Sequence, residues 1–207
     1  MLTIYHLNVS QSDRIVWLME ELGLPYNLER FDRMENMLAP PEYRALHPVA
    51  TSPTIRDGDL VMCESIAIVE YIINRYGNGR FGVDKDQANY PHYLYWMQFS
   101  TSFLSAILMN LTAKSLSAGS DNRAVSATHD RIHRHFRQME QRLSECAYLA
   151  GEDFTAADMQ NLFTLTTMPR FGGPGIDAYP SIQSYVERVT ARPAYQKAMQ
   201  IAGPDTR

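Results

Sequence analysis

Apolar and polar side chains alternate in a short stretch near the start of the chain. Residues 2–7 show this alternation and contain β-forming side chains, which predicts a strand, and we interpret residues 26–31 as a second strand. Between them, residues 14–22 have apolar side chains at helical spacing, and Gly23 and Pro25 follow, which predicts a helix that ends there. Because a helical crossover joins strands that run in the same direction, we expect these two strands to be parallel.

The next short segments complete the elements of a thioredoxin-like domain. After a short helix that begins at two prolines, residues 54–56 and 60–62 flank the turn-forming pair Asp57-Gly58, which predicts an antiparallel hairpin. Residues 64–76 then have apolar side chains at helical spacing. The order β-α-β-α-β-β-α predicts a thioredoxin-like α/β domain over residues 1–80.

From residue 90 onward the pattern is helical. Residues 77–82 are glycine-rich and residues 84–89 are mostly polar, which is typical of a linker, and we place that linker at residues 81–89. Residues 90–114 form a long apolar-rich stretch, and apolar side chains between Val125 and Cys146 recur every three, four or seven residues, as on one face of a helix. We expect these two helices to pack together in an all-α helical bundle over residues 90–207.

A capping box is predicted further along the chain. Thr155 and Asp158 have the spacing at which a helix N-cap and the third helical residue bond reciprocally, and Phe154 and Met159 stand at the positions of a hydrophobic staple. We expect these four residues to serve folding.

The composition is that of an ordinary globular protein and narrows the function classes. With 207 residues, a net charge of −4 and no apolar run of membrane-spanning length, neither nucleic acid nor a membrane is an expected partner. The two cysteines, Cys63 and Cys146, are too few for a disulfide framework, and no signal segment is evident, which favours a cytoplasmic location. No cluster of His, Cys and Asp has the spacing of metal ligands, so no metal is expected.

Two pairs of polar residues stand at predicted helix starts. Ser10 and Ser12 precede the first helix, and Glu64 and Ser65 open the helix that follows the hairpin. Such side chains cap backbone N–H groups, and helix N-termini also favour anionic ligand groups. From these residues alone, we expect the serines to cap their helices rather than to bind a ligand.

Three motifs resemble the glutathione transferase family, in particular its serine-type bacterial and fungal members. The run Ser10-Gln11-Ser12-Asp13-Arg14, with Gly23-Leu24-Pro25-Tyr26 at the end of the helix, is similar to that family's first loop and helix. His47-Pro48 followed by Pro53, and the pair Glu64-Ser65, match two further elements. The resemblance covers nearly the whole chain and implies a thioredoxin-like domain followed by a helical domain that lines the electrophile site.

The resemblance implies that Ser10 holds the glutathione sulfur, with Ser12 and Asn8 as alternatives if the register differs. Only the thiolate is nucleophilic, and a free thiol has a pKa of about 8.5. A donated hydroxyl hydrogen bond near a helix N-terminus favours the thiolate. We therefore expect Ser10 to donate to the sulfur rather than to remove its proton.

By the same resemblance, the hairpin and the helix after it bind the peptide part of glutathione. Pro53 is expected to follow a cis peptide bond, and backbone groups of Ser52 are expected to pair with the cysteinyl part. Glu64 and Ser65 are expected to hold the γ-glutamyl amine and carboxylate.

One position departs from the family pattern. Many relatives have Gly-Lys where this chain has Ala50-Thr51, and Thr51 cannot supply a cation to the glycyl carboxylate. Either His47 or Arg33 supplies that cation, or glutathione binds more weakly here.

The implied activity is attack of the glutathione thiolate on a hydrophobic electrophile, or reduction of an organic peroxide. Glutathione would be the co-substrate, and the resemblance also implies a homodimer. A non-catalytic glutathione or ligand-binding module of the same fold is the alternative, and a thiol transferase based on Cys63 is a weaker one. Apolar candidates for the electrophile pocket, each also a candidate for core packing, are Val9, Met34, Met37, Tyr93, Trp96, Met97 and Phe163.

Overall fold

The computed structural model describes residues 1–116 and 123–205. Contacts between residues divide the chain into two compact units, Met1–Gly82 with the segment that begins at Thr190, and Val83–Val189. The elements are β1 Thr3–Leu7, α1 Asp13–Leu22, β2 Asn27–Phe31, α2 Pro41–Arg44, β3 Thr54–Asp57, β4 Leu60–Cys63, α3 Ser65–Arg75, α4 Tyr90–Leu116, α5 Arg123–Glu145, α6 Ala156–Thr166, a 3-10 turn Met168–Phe171, α7 Pro180–Thr190 and α8 Pro193–Ala202.

A four-stranded sheet in the order β2-β1-β3-β4 forms the centre of the first unit. Strands β1 and β2 are parallel, with Ile4 opposite Leu28 and His6 opposite Arg30. Strand β3 runs antiparallel to both β1 and β4. The predicted parallel pair, the hairpin and the thioredoxin-like fold are confirmed.

Apolar faces of α1 and α3 supply the core of this unit. Ile15 and Leu18 of α1 and Ile68 of α3 are fully buried, as are Ile4 and Ile55 of the sheet. A second cluster joins Tyr5 and Leu7 of β1 to Tyr43 of α2. The loop that joins β1 to α1 therefore lies between two elements that are both packed in the core of this unit.

The C-terminal helix α8 belongs to the first unit, although the sequence pattern grouped it with the helices of residues 90–207. Its Tyr195 ring meets the Trp17 ring of α1 edge-on, with the ring centroids 5.0 Å apart. Just before α8, Arg192 donates to both carboxylate oxygens of Glu21, at 2.6 and 2.8 Å. The partners of α8 lie more than 170 residues away in the chain, so local periodicity could not reveal them.

In the second unit, α4 packs against α5 and α6, and the predicted apolar stripe of α5 is buried. Phe103 of α4 meets Phe136 of α5 edge-on, with ring centroids 4.9 Å apart. The capping box of Thr155 and Asp158 is present at the start of α6, as predicted. Over residues 1–116 and 123–205, none of the helices combines the length and the apolar character that crossing a bilayer requires.

Candidate functional site

Ser10 lies in the loop between β1 and α1, with 6% of its surface exposed. Its Oγ donates to the carbonyl oxygen of Leu7 at 2.7 Å and also lies 2.8 Å from Ser12 Oγ and 2.7 Å from Ser52 Oγ. The preceding Val9 has φ of 53°, a left-handed conformation that is unfavourable for a β-branched residue. The loop thus holds the Ser10 hydroxyl in a defined place among three oxygen atoms.

Ser12 is fully buried and occupies the N-cap position of α1, yet its side chain makes no capping hydrogen bond. Its Oγ lies 2.8 Å from His6 Nδ1 and accepts the Leu7 N–H at 3.2 Å. Ser12 therefore links the interior of β1 to Ser10 instead of capping the helix.

His6 is the buried end of this chain of polar groups, with 2% of its surface exposed. Burial, with a smaller effect of Arg30, lowers the pKa of His6 to about 4, although Asp32 acts in the opposite direction. The imidazole is therefore neutral at physiological pH, with a proton on one ring nitrogen only.

Asn8, the other alternative for the sulfur contact, is placed differently. Its backbone N–H donates to the Phe31 carbonyl at 2.8 Å, which continues the pairing of β1 with β2. Its buried Oδ1 has no hydrogen-bond partner in residues 1–116 and 123–205. Of the three candidates, Ser10 and Ser12 thus share one hydrogen-bond chain, and the Asn8 side chain lies outside it.

Ser52 joins the residues before the hairpin to this chain through its contact with Ser10 Oγ. The Ser52–Pro53 peptide bond is cis, as predicted. Thr51 is exposed, and its carbonyl oxygen accepts the hydroxyl of Thr54 at 2.8 Å. The structure therefore brings Ser10 and Ser52 together across 42 positions of the chain.

The start of α3 provides the second polar group of the site. Glu64 is exposed at the N-cap position with φ of 76° and ψ of 106°, and its side chain does not cap the helix. Ser65 Oγ accepts a hydrogen bond from Arg14 Nη1 at 3.3 Å. Burial lowers the pKa of Arg14 to about 10, so the guanidinium stays charged beside Ser65. The exposed Glu64 and the Arg14-bound Ser65 thus lie next to each other at the start of α3.

Two residues were expected to compensate for the missing lysine, and both have other partners. Arg33 donates to the carbonyl oxygens of Asn8, Val9 and Met37 at 3.0, 3.0 and 2.7 Å. His47 Nδ1 accepts the Val49 N–H at 3.2 Å and lies 3.4 Å from Cys63 Sγ. Arg33 has two N–H groups beyond those three bonds, and it lines a cleft of about 400 Å³ with Asn8, Val9, Asp32, Met37 and Pro204.

The apolar candidates for the electrophile pocket fall in both units. Val9 and Met37 line the cleft of the first unit, and Met34 is half-buried in the same unit. Tyr93, Trp96 and Met97 of α4 are at most 2% exposed, and the Trp96 ring lies 4.6 Å from that of Phe99. Phe163 of α6 is half-buried.

Sequence reasoning missed His6 and the contact of Arg14 with Ser65. The alternation of β1 marked His6 only as a polar strand residue, and Arg14 served only to set the register of the first motif. A possible signal for His6 was its position six residues before Ser12, but the distance between them depends on the turn after β1.

Models of two protein domains match the chain. The glutathione S-transferase N-terminal domain matches residues 10–75, and the glutathione S-transferase C-terminal domain matches residues 95–193. Glutathione S-transferase 3 of Schizosaccharomyces pombe is 30% identical, over 97% of this chain and 87% of that protein. Glutathione S-transferase GstB of Escherichia coli K12 is 29% identical, over 97% of this chain and 99% of that protein.

Solved structures agree with these matches. The crystal structure of a glutathione S-transferase from Actinobacillus pleuropneumoniae is 34% identical and has a TM-score of 0.90, covering 99% of this chain and 95% of that one. A theta class enzyme from Xanthomonas axonopodis pv. citri, solved with glutathione bound, is 26% identical with a TM-score of 0.73, covering 100% of this chain and 98% of that one. The chain belongs to the glutathione S-transferase family.

Proposed function

We propose that this protein is a glutathione transferase that stabilises the thiolate of glutathione at Ser10 for attack on a hydrophobic electrophile. The observation that carries the proposal is the buried Ser10 hydroxyl at the start of α1, in contact with Ser12 and Ser52. Family membership supports glutathione as the co-substrate, and the solved Xanthomonas relative contains it.

Ser10 acts as a hydrogen-bond donor to the sulfur. In the structure, the Ser10 hydroxyl donates to the Leu7 carbonyl oxygen. Rotation about the Cβ–Oγ bond redirects this donor to an incoming sulfur. A hydrogen bond to a charged group contributes roughly 1.5–3 kcal/mol, and each unit of pKa lowering corresponds to about 1.4 kcal/mol. One such donor therefore lowers the thiol pKa by roughly one to two units, which brings it close to neutral pH.

The peptide part of glutathione is assigned to the remaining polar groups of the first unit. Backbone groups of Ser52, beside Pro53, pair with the cysteinyl part, and Glu64 and Ser65 hold the γ-glutamyl amine and carboxylate. The charged Arg14 beside Ser65 adds to the attraction for that carboxylate.

At the glycyl end of glutathione, Thr51 can supply a hydroxyl but no positive charge for the carboxylate. The two remaining N–H groups of Arg33 make it the better candidate for the glycyl carboxylate, because His47 Nδ1 already accepts the Val49 N–H. Contacts of the electrophile with Val9, Met34, Tyr93, Trp96 and Met97 stay predictions, as do peroxide reduction, a homodimer and a cytoplasmic location.

A binding module without turnover is the second candidate, and the exposed, uncharged Thr51 favours it. Glutathione affinity and conjugation of an aryl halide by the purified protein separate the two functions. Affinity together with conjugation supports the enzyme, and affinity without turnover of any electrophile supports the module. Absence of glutathione affinity contradicts both the enzyme and a module that binds glutathione.

The Ser10→Ala variant tests the role of the hydroxyl. Loss of the donor should lower kcat/KM roughly 10- to 100-fold while the dissociation constant of glutathione changes little, because the peptide contacts remain. Ser144→Ala is the matched control, since Ser144 is an exposed serine whose hydroxyl donates to the Gln141 carbonyl of its own helix. Full activity in Ser10→Ala would move the role to Ser12, Asn8 or a backbone amide.

A further inference from the structure

The hydrogen bonds around Ser10 form a chain whose direction is not fixed by the positions of the oxygens. The chain runs from His6 Nδ1 to Ser12 Oγ at 2.8 Å and on to Ser10 Oγ at 2.8 Å. A hydroxyl carries one proton and two lone pairs, so every contact between two hydroxyls needs one donor and one acceptor. Whether His6 or Ser12 donates in the first contact therefore determines whether Ser12 or Ser10 donates in the second.

We propose that His6 is a positioning residue that sets the direction of this chain, so that Ser12 donates to Ser10 and Ser10 keeps its own proton for the glutathione sulfur. The inference rests on the proposed function and extends it to a residue that touches neither glutathione nor the electrophile.

The tautomer of His6 decides the direction. With the proton on Nδ1, the imidazole donates to Ser12 Oγ, which also accepts the Leu7 N–H at 3.2 Å. Both lone pairs of Ser12 are then occupied, and its proton goes to Ser10 Oγ at 2.8 Å rather than to the Leu7 carbonyl at 3.3 Å. Ser10 Oγ accepts from the Ser12 hydroxyl and, at 3.3 Å, from the Ser12 N–H. Both lone pairs of Ser10 are then occupied, so its proton points to the Leu7 carbonyl oxygen or to Ser52 Oγ, each 2.7 Å away. A sulfur that takes the place of either acceptor receives that proton, and Ser10 meets it as a donor.

The opposite tautomer reverses this outcome. With the proton on Nε2, the bare Nδ1 must accept the Ser12 proton, and the contact between Ser12 and Ser10 then needs the proton of Ser10. Ser10 would meet the sulfur with a lone pair. Such a contact favours the neutral thiol, because hydrogen bonding to the neutral form raises a pKa.

The surroundings of the ring favour the proton on Nδ1. His6 Nε2 is buried and has no hydrogen-bond partner in residues 1–116 and 123–205. A buried N–H without an acceptor is rarer and costlier than a bare ring nitrogen, and Nδ1 has Ser12 Oγ at 2.8 Å to receive its proton. Burial, with a smaller effect of Arg30 opposed by Asp32, lowers the pKa of His6 to about 4, so the doubly protonated ring is absent at neutral pH.

The first test reads the tautomer directly. Nitrogen-15 NMR of the full chain without glutathione, with the His6 signals assigned by their loss in His6→Asn, should show a proton on Nδ1 and a bare Nε2. A proton on Nε2 overturns the inference. Because no glutathione is present, the result does not depend on the proposed function.

The second test uses two variants that mimic one ring nitrogen each. The amide nitrogen of asparagine occupies the place of Nδ1, whereas that of glutamine reaches the place of Nε2. The ultraviolet absorbance of the thiolate, titrated with glutathione bound, should give His6→Asn a thiol pKa close to that of the unmodified chain. In His6→Gln the pKa should rise by about one unit, which means roughly tenfold less thiolate and a roughly tenfold lower kcat below that pKa.

Affinity for glutathione should be similar in all variants, because the His6 ring bonds to Ser12 and to none of the residues assigned to the peptide part of glutathione. The exposed His92 of α4 provides the control His92→Asn, which should leave the thiol pKa unchanged. Equal thiol pKa values in His6→Asn and His6→Gln overturn the inference. If the unmodified chain itself fails to lower the thiol pKa, the proposed function fails, while the NMR result still decides the direction of the chain.

Discussion

Buried polar side chains surround the starts of two helices, α6 and α1, and they are connected in opposite ways. At α6, the carboxylate of Asp158 accepts the N–H groups of Leu149 and Thr155 at 3.0 and 2.8 Å and the hydroxyl of Tyr185 at 3.0 Å. At α1, the side chain of the N-cap residue Ser12 does not cap the helix and bonds to His6 and Ser10 instead.

The two helix starts differ in whether the central groups can exchange the roles of donor and acceptor. A carboxylate without a proton only accepts, so each donor at α6 has one possible partner and the arrangement is fixed. Hydroxyl and imidazole groups both donate and accept, so the same oxygens at α1 support two directions of bonding. We expect the first arrangement to contribute mainly to stability and the second mainly to reactivity.

The largest expected effect comes from removing the acceptor at α6. Asp158→Ala removes the acceptor of two N–H groups, those of Leu149 and Thr155, and of two hydroxyls, those of Tyr185 and Thr155. It should lower the free energy of unfolding by about 3–5 kcal/mol, since a buried donor without an acceptor costs about 1–3 kcal/mol. Urea denaturation followed by circular dichroism measures the change. The exposed Asp153 gives the control Asp153→Ala, which should stay within about 0.5 kcal/mol of the unmodified chain. A loss below about 1 kcal/mol in Asp158→Ala would contradict the fixed arrangement.

The next largest effect is the pH dependence of the unfolding free energy, to which titratable groups near α1 and α6 contribute. The pKa of His6 is lowered to about 4 by burial, so between about pH 6.5 and 4 the unfolded chain binds a proton that the folded chain does not. The folded state therefore loses up to roughly 3 kcal/mol on acidification through this window. Burial raises the pKa of Asp158 to about 6 and that of Asp13 to about 7, and these groups act in the opposite direction, gaining stability as pH falls.

The variant His6→Asn isolates the histidine from those carboxyl groups. The difference in unfolding free energy between the unmodified chain and His6→Asn should be constant above about pH 7 and should shift in favour of the variant toward pH 4. Urea titrations at several pH values measure it. A pH-independent difference for His6→Asn would mean that His6 titrates normally in the folded chain.

The capping box of α6 could be predicted from the sequence, but the bonds of Asp158 to Leu149 and Tyr185 could not, and the α1 region could be predicted only in part. Thr155 and Asp158 are three residues apart, so their capping box follows from local spacing. The contact of Ser10 with Ser52 spans 42 positions, and only the family resemblance suggested that they meet. The link from His6 to Ser12 depends on the course of the turn after β1, and no local pattern encodes it.

The placement of Arg33 and of α8 illustrates the same limit. Arg33 was one of two candidates for the glycyl carboxylate, and no sequence pattern indicated that three of its N–H groups hold carbonyl oxygens of its own unit. Helix α8 has an ordinary helical pattern, and its assignment to the first unit comes from Arg192 and Tyr195, whose partners lie in α1. Periodicity predicts which face of a helix is buried, but the partner of that face is a tertiary property.

A prediction of intermediate size compares Ser12 with a buried serine that bonds within its own helix, Ser100. Ser12→Ala removes the acceptor of His6 and of the Leu7 N–H and should lower the unfolding free energy by about 1–2 kcal/mol. Ser100 is also buried, at 4% exposure, but its hydroxyl donates to the Met97 carbonyl of its own helix at 2.9 Å. Ser100→Ala should therefore cost about 1 kcal/mol less than Ser12→Ala in parallel urea titrations. Equal losses would mean that Ser12 is an ordinary buried serine.

The smallest expected effect tests how specific the cap of α6 is. Thr155→Ser keeps the hydroxyl and the backbone geometry of the capping box and should change the unfolding free energy by less than about 0.5 kcal/mol, because both residues are good N-caps. Thr155→Ala removes the hydroxyl and should cost about 1 kcal/mol. Both losses stay well below that of Asp158→Ala because the Asp158 carboxylate keeps its bonds to Leu149 and Tyr185 in either variant. If Thr155→Ala were as damaging as Asp158→Ala, the stability of this helix start would depend on the hydroxyl, and the contrast between a fixed carboxylate at α6 and mobile protons at α1 would not hold.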